Sequence, residues 1–304
     1  MSISNTLHHR VGLTVLRAEH MGMCFGVRDA IALAERVTQS RPLTVLGELV
    51  HNPVVLDDLR GRGVRFENQP GEVETETVMI TAHGASEQVR DRARENGLEL
   101  RDATCPLVHY AHKQIQELAM AGYHLVVIGR QGHVEVRGLT EDLSECDVVL
   151  CKDEIDALSP QPRFGVVAQT TQPIVRVLEL VEYLKTRFPD ADVRFVDTVC
   201  QPTKQRQSAA EELAKQSDVV LVVGGANSNN THELARTARK YCTRVHHVQG
   251  PDDVCADWLP ETGTLGLTAG TSTPDRLIDA VETKVQDLCG ETVRSSGAKS
   301  LALA

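Results

Sequence analysis

Aromatic residues are scarce in this chain. One Trp, four Tyr and five Phe make up 3% of 304 residues, which leaves little for a surface that stacks bases. Basic residues are outnumbered, 32 Lys and Arg against 42 Asp and Glu, for a net charge of −10. A general nucleic-acid or anionic-membrane surface wants the opposite balance. Long apolar runs are missing too. The longest lies within residues 218–226, far short of the roughly 20 residues of a membrane helix. Residues 1–10 are polar, with His8 and His9, and lead into no signal-peptide core. No C-x-x-C pair, no G-x-x-x-x-G-K-[ST] and no G-x-G-x-x-G occurs, so zinc ribbons, thioredoxin-like dithiols and the common nucleotide folds lack their signatures. The expectation is a cytoplasmic protein with no nucleic-acid and no membrane partner.

What is present is enough apolar residue, 41%, to bury a core, on a length that suits two domains or three small ones. Short, β-rich, wholly apolar runs at 43–46, 78–81, 124–128, 164–168, 219–223 and 265–268 read as parallel strands covered on both faces. Helical spacing recurs between them at 54–60, 87–95, 174–186, 231–240 and 274–288. The alternation predicts an α/β protein with parallel sheets. The Ser/Ala-rich tail after Gly290 is expected to be irregular or loosely packed.

Eight cysteines need a reason in a chain this long, which requires no disulfides. Cys146, Cys151, Cys242, Cys255 and Cys289 have nothing chemical around them and read as buried packing. Cys24, Cys105 and Cys200 differ, because each follows a strand-like run and opens a helical pattern. After Cys24 come Val27, Ala30, Ile31 and Ala34 at helical spacing; Pro106 after Cys105 suits a first helical position. A helix N-terminus favours a thiolate. One such cysteine in each of three similar units is a faint structural repeat, and widely spaced thiols of this kind can converge on a metal.

Ligands of open α/β sheets bind beyond the carboxyl ends of the strands. The residues there include His51, His83 and His133, the loop Gly224-Gly225-Ala226-Asn227-Ser228-Asn229-Asn230-Thr231, and Ala269-Gly270-Thr271-Ser272-Thr273-Pro274. The two small-residue turns precede helices and present donors suited to phosphate, or serve as plain N-caps. The whole is a neutral-to-positive donor set in an acidic protein, which suits a small, strongly anionic ligand. In His133-Val134-Glu135 an extended loop would point both polar side chains the same way, and Glu135 there could donate a proton. The remaining histidines, His109 and His112 on the helix after Cys105 among them, have no assigned role.

The ordered set Gly22-Met23-Cys24-Phe25-Gly26-Val27, Val50-His51-Asn52, Ala82-His83-Gly84, Asp102-Ala103-Thr104-Cys105-Pro106, Gly132-His133-Val134-Glu135, Gln169-Thr170-Thr171, Cys200, Asn227-Ser228-Asn229-Asn230 and Thr268-Ala269-Gly270-Thr271-Ser272 resembles the 4-hydroxy-3-methylbut-2-enyl diphosphate reductase (IspH/LytB) family. The resemblance runs from Leu16 to about Asp275. It implies three similar α/β units in a pseudo-threefold cloverleaf around one [4Fe–4S] cluster per chain. The units would be 11–104, with the tail 290–304 returning to it, then 105–199 and 200–289. By the resemblance, Cys24, Cys105 and Cys200 hold the cluster and leave one iron open for the substrate hydroxyl. His51, His83, His133, Ser228, Asn229, Asn230 and Ser272 match the diphosphate site, Glu135 the proton donor, and Thr170 the residue that positions the hydroxyl. The implied reaction reduces an allylic diphosphate to isopentenyl and dimethylallyl diphosphate, with reduced ferredoxin or flavodoxin as donor. Met23, Val134 and Asn229 stand where the family usually has Phe, Pro and Ser. Two other readings compete: a three-cysteine cluster dehydratase like quinolinate synthase, and a cluster-based redox sensor.

Overall fold

A computed structural model describes residues 12–289 and 294–296 of the chain. The strands fall into three sheets, and every strand pair in them is parallel. After β1 (Leu13–Arg17) and α1 (Phe25–Thr38), the first complete sheet, B, contains β2 (Leu43–Leu46), β3 (Val64–Glu67), β4 (Thr77–Ile80) and β5 (Glu99–Asp102) in the order β3-β2-β4-β5. Helices α2 (Pro53–Gly61) and α3 (Glu87–Glu95) connect its strands. Helix α4 (Pro106–Met120) leads to sheet C, built from β6 (His124–Ile128), β7 (Cys146–Val149), β8 (Arg163–Ala168) and β9 (Asp192–Phe195) in the order β7-β6-β8-β9, with α5 (Val134–Thr140), α6 (Lys152–Asp156) and α7 (Ile174–Arg187) as crossovers. Helix α8 (Gln201–Lys215) opens the last run, β10 (Val219–Val223), α9 (Asn229–Ala238), β11 (Val245–Val248), β12 (Gly263–Ala269), α10 (Asp275–Cys289) and β13 (Arg294–Ser296). Their sheet, A, has the order β11-β10-β12-β1-β13.

The strand order contains the repeat. Positions one to four of sheet A, β11-β10-β12-β1, repeat the order β3-β2-β4-β5 of sheet B and β7-β6-β8-β9 of sheet C. The fourth strand of sheet A is therefore supplied by the start of the chain. This corrects the expected placement of residues 13–17 within a first unit 11–104: β1 pairs with β12 and β13, not with β2. Sequence proximity suggests the first unit, but the hydrogen-bonding edge of β12 takes the strand. The described tail also departs from expectation. Arg294–Ser296 forms a strand on β1 because an unpaired parallel edge satisfies its backbone groups there. The other tail residues and His8 and His9 lie outside the described residues.

By compactness, the described chain has two units: residues 12–23 with the chain from 205 onward, and Cys24–Lys204. In the second, β2, β4, β6 and β8 are almost wholly buried, as all-apolar parallel strands must be when helices cover both faces. On one face of sheet C, Val126, Ile128, Phe164 and Val166 pack with Val177, Val181 and Leu184 of α7. On the other, Leu125, Val127 and Val167 meet Ala111, Ile115 and Leu118 of α4. In the first unit Ala210, Leu213 and Ala214 of α8 pack on Val220 and Val222. Each burial of a Val or Leu side chain contributes about 1.5–3 kcal/mol. Among the described residues no helix is long and apolar enough to cross a membrane.

Of the five cysteines read as packing, Cys242 and Cys289 are buried and Cys146 is half-buried, but Cys151 and Cys255 are exposed. Both exposed thiols precede short helical turns at the surface, Cys151 as the N-cap of α6 and Cys255 before Ala256–Trp258.

Candidate active site

Each motif cysteine stands just after the fourth strand of a sheet and starts a helix. Cys24 is the N-cap of α1 and Cys105 the N-cap of α4, while the Cys200 carbonyl accepts the first backbone N–H groups of α8, from Thr203 and Lys204. Within the unit 24–204 the three thiols come into one electrostatic neighbourhood. Cys24 and Glu135 both act on Cys105 and on Cys200, pushing each thiol up. The approach of α1 to Cys105 requires glycine at position 26. A Cβ there would meet the Cys105 Sγ at 2.5 Å, closer than any side chain tolerates.

Burial dominates at Cys105 and Cys200. It raises Cys105, and it pushes Cys200 up to about 11, against the hydrogen bonds that favour the thiolates. At Cys105 and Cys200 the expectation that the helix N-termini alone would favour thiolates is thus corrected for the chain by itself: desolvation outweighs the hydrogen-bond donors. Cys105 takes backbone hydrogen bonds from Leu107 and Val108. Cys200 has its Sγ 3.0 Å from the Thr203 Oγ1.

These residues fit an iron–sulfur cluster. The donors are three soft sulfurs, partly buried, at three helix starts, with Gly26 keeping space clear beside one of them. Among the described residues no group of three His, Cys, Asp or Glu closes on a point tightly enough for a single metal ion. A multi-iron cluster spreads its thiolates more widely than one ion does.

His51, His83 and His133 form a trio. The His51 and His83 rings stack with centroids 4.5 Å apart, and His133 meets them edge-on at 5.3 and 5.8 Å. They come from the ends of β2, β4 and β6, with Gly84 (φ +78°) turning the chain after His83. Burial first, then mutual repulsion, pushes His83 well below the usual histidine range. Burial, His51 and Arg130 push His133 down to about 4. His83 and His133 therefore stand neutral, with N–H donors rather than full charges. The His133 Nδ1 accepts the Glu135 N–H at 3.2 Å, which leaves the ring proton on Nε2.

That hydrogen bond corrects the extended reading of 133–135. His133 is the N-cap of α5 and Glu135 lies in its first turn. Val134 occupies the first helical position, where Pro is favoured but not required. Glu135 is 1% exposed. Its Oε1 accepts the Thr170 N–H at 2.6 Å, yet burial prevails and pushes the acid up to about 7. The Gln169 Oε1 accepts the Arg130 N–H at 3.0 Å and a Gln172 Nε2 hydrogen at 3.0 Å, which pins the turn before His133 to the turn bearing Thr170. Sequence reading assigned nothing to Gly26, Gln169 or Thr203. For Thr203 a signal existed: three residues past a helix-starting cysteine is one turn on, within reach of its sulfur.

In the other unit, Ser228 is the N-cap of α9 and its Oγ accepts the Thr231 N–H at 3.3 Å. The Asn230 Oδ1 accepts the Thr271 N–H at 3.0 Å, while its Nδ2 is buried without a partner among the described residues. Asn229 and Ser272 are buried beside them in the chain. The two loops thus join through Asn230 and hold an unused amide donor, as an anion site does.

The chain matches the LytB protein family over residues 15–286. It is 35% identical over 285 residues to the 4-hydroxy-3-methylbut-2-enyl diphosphate reductase of Acinetobacter baumannii (strain AYE), covering 90% of each chain. It is 34% identical over 290 residues to the reductase of that name from Aquifex aeolicus, covering 92% of this chain and 99% of the relative. The solved E-1-hydroxy-2-methyl-but-2-enyl-4-diphosphate reductase of Plasmodium falciparum superposes with a TM-score of 0.87 at 26% identity, over 95% of this chain and 93% of that one. A second solved structure, (E)-4-hydroxy-3-methyl-but-2-enyl diphosphate reductase, the terminal enzyme of the non-mevalonate pathway, gives 0.66 at 32% identity, over 90% and 99%.

Proposed function

The chain belongs to the LytB protein family, and from that premise we propose that it reductively removes the C4 hydroxyl of (E)-4-hydroxy-3-methylbut-2-enyl diphosphate. Two electrons and two protons enter, water leaves, and the products are isopentenyl and dimethylallyl diphosphate, the last step of the non-mevalonate isoprenoid pathway. The relatives named above are reductases of this kind, so neither a quinolinate-synthase-like dehydratase nor a redox sensor is favoured.

Cys24, Cys105 and Cys200 would hold one [4Fe–4S] cluster, which supplies single electrons and a Lewis-acidic iron without a protein ligand for the leaving oxygen. Glu135 carries the proton. Its acid is poised near neutrality by burial and oriented by the Thr170 N–H, so it is part-protonated at working pH, as a general acid should be. The Thr170 hydroxyl positions the substrate hydroxyl. His51, His83 and His133 donate to the diphosphate. An anion beside His83 and His133 sets attraction against the repulsion that lowers them, so binding raises the proton affinity of those two. Ser228, Asn229, Asn230 and Ser272 are assigned to the diphosphate as well. A diphosphate held away from the reacting carbon supplies orientation. Electrons come from a small reduced carrier of the ferredoxin or flavodoxin type.

The observation that carries this reading is one buried carboxylic acid, pushed up to about 7, acting on two of the motif thiols. The test is anaerobic protein reconstituted with iron and sulfide and assayed with a dithionite–viologen reductant. The two five-carbon diphosphates should form, and the cluster's paramagnetic resonance signal should change on adding substrate. A loaded protein that leaves the substrate unreduced and its signal unmoved would overturn the assignment.

A further inference from the structure

Three residues past each motif cysteine, one helical turn on, the chain has Val27, Val108 and Thr203. Valine and threonine share a shape, so the three positions differ in one group, a hydroxyl beside Cys200 alone. Thr203 is fully buried, at 0% exposure. Its Oγ1 lies 3.0 Å from the Cys200 Sγ, and its N–H is anchored to the Cys200 carbonyl at 3.0 Å. In the free thiol either atom could donate. A sulfur bound to iron has no proton, so there the hydroxyl must be the donor. Burying a hydroxyl without a partner costs free energy, and a valine would fill the same space without that cost, as it does at the two sister positions.

We propose that Thr203 is a positioning residue that tunes the reduction potential of the cluster: its hydroxyl donates to the Cys200 thiolate and makes the cluster easier to reduce. The proposal rests on the assignment of Cys200 as a cluster ligand. Hydrogen bonds to ligand sulfurs are among the factors that set iron–sulfur potentials. The direction follows from charge. Reduction adds an electron that is shared with the sulfurs, and a donor stabilises the more negative state more. The thiolates are then inequivalent through the groups around them, with a hydroxyl as well as a backbone amide on Cys200 and backbone amides alone named on Cys105.

The experiment is a potentiometric titration of the anaerobically loaded, full-length protein, read by paramagnetic resonance, with iron and sulfide measured on every sample. At the wild-type midpoint, Thr203→Val should lower the ratio of reduced to oxidised cluster about tenfold, which is about 59 mV for one electron, at unchanged iron content. Thr203→Ser should restore the wild-type potential. Val108→Thr should move the potential the other way. An unchanged potential in a fully loaded Thr203→Val protein overturns the proposal and leaves the ligand assignment standing. If Thr203→Val and Thr203→Ala both lose iron while Thr203→Ser keeps it, the hydroxyl holds the site together and the tuning role is overturned. Full iron and sulfide in Cys200→Ser would instead overturn the ligand assignment itself.

Discussion

Strand β2 of sheet B and strand β6 of sheet C hold the same place in their sheets, and each is followed by a histidine at the start of a helix, His51 and His133. Two residues further on, sheet B has Pro53 and sheet C has Glu135. The neighbouring inner strand, β4 or β8, is followed by His83 in one and Thr170 in the other. The last, β5 or β9, is followed by Cys105 with Val108 a turn later, or by Cys200 with Thr203. One plan thus supplies two chemistries. Sheet B offers a sulfur and two imidazoles. Sheet C offers a sulfur with a hydroxyl beside it, one neutral donor, and a carboxylic acid gripped by the Thr170 amide. Repetition of the fold sets where groups stand, and single side chains at repeated positions decide what they do.

Where the sheets agree, the corresponding variants should fail alike. Cys105→Ser and Cys200→Ser, together with Cys24→Ser, are expected to abolish cluster retention, measured as iron and sulfide per chain. Cys146→Ser and Cys151→Ser, at the first residue of β7 and just after it in sheet C, should retain it. Where they differ, the effect should be confined to sheet C. Glu135→Gln should lower kcat by about 10²–10⁴, the usual range for a general acid, with KM little changed. In the wild type, kcat should fall as pH rises through about 7, where Glu135 loses its proton, and the variant should lack that limb. A flat wild-type profile would remove Glu135 from the proton path.

The histidines test the agreement again at smaller scale. His51→Asn and His133→Asn should each raise KM about tenfold or more, since a hydrogen bond to a charged group contributes about 1.5–3 kcal/mol. Stability should show the smallest effect. In the metal-free protein His133 has its folded pKa pushed from 6.5 down to about 4, so its contribution is full above 6.5 and is lost as pH falls toward 4. Between pH 6.5 and 5 that loss is on the order of 2 kcal/mol. Glu135 works in the opposite sense, stabilising at low pH and losing its contribution as pH rises toward 7. The comparison that isolates His133 is therefore a difference: urea midpoints of the wild type should fall over this window by more than those of His133→Asn.

Much of the architecture was legible because parallel strands are continuous apolar runs. Leu43–Leu46, His124–Ile128 and Val219–Val223 stand where periodicity puts them. Edge strands β3 and β11, with the alternating VRFE and the histidines of VHHV, were not identified, since half-covered edges lack an unbroken apolar run. The chemistry-bearing residues were legible by type and by place at strand ends. Their protonation was not. A helix start at Cys105 argues for a thiolate, and only burial reverses it. Glu135 reads from the sequence as a candidate proton donor beside His133, and only the packing around α5 makes it a buried acid.

Residue order alone determined three cysteines at strand-to-helix junctions, three histidines and a glutamate at strand ends, and an alternation that admits little but parallel α/β units. Those are local properties, carried by spacing and side-chain type. Only the tertiary structure decided that β1 completes the sheet of the chain's far end, that the three imidazoles touch, and that a carboxylic acid keeps its proton near neutrality. These depend on which edge a strand finds and on how much water is excluded around a group, and both are set by residues distant in the chain.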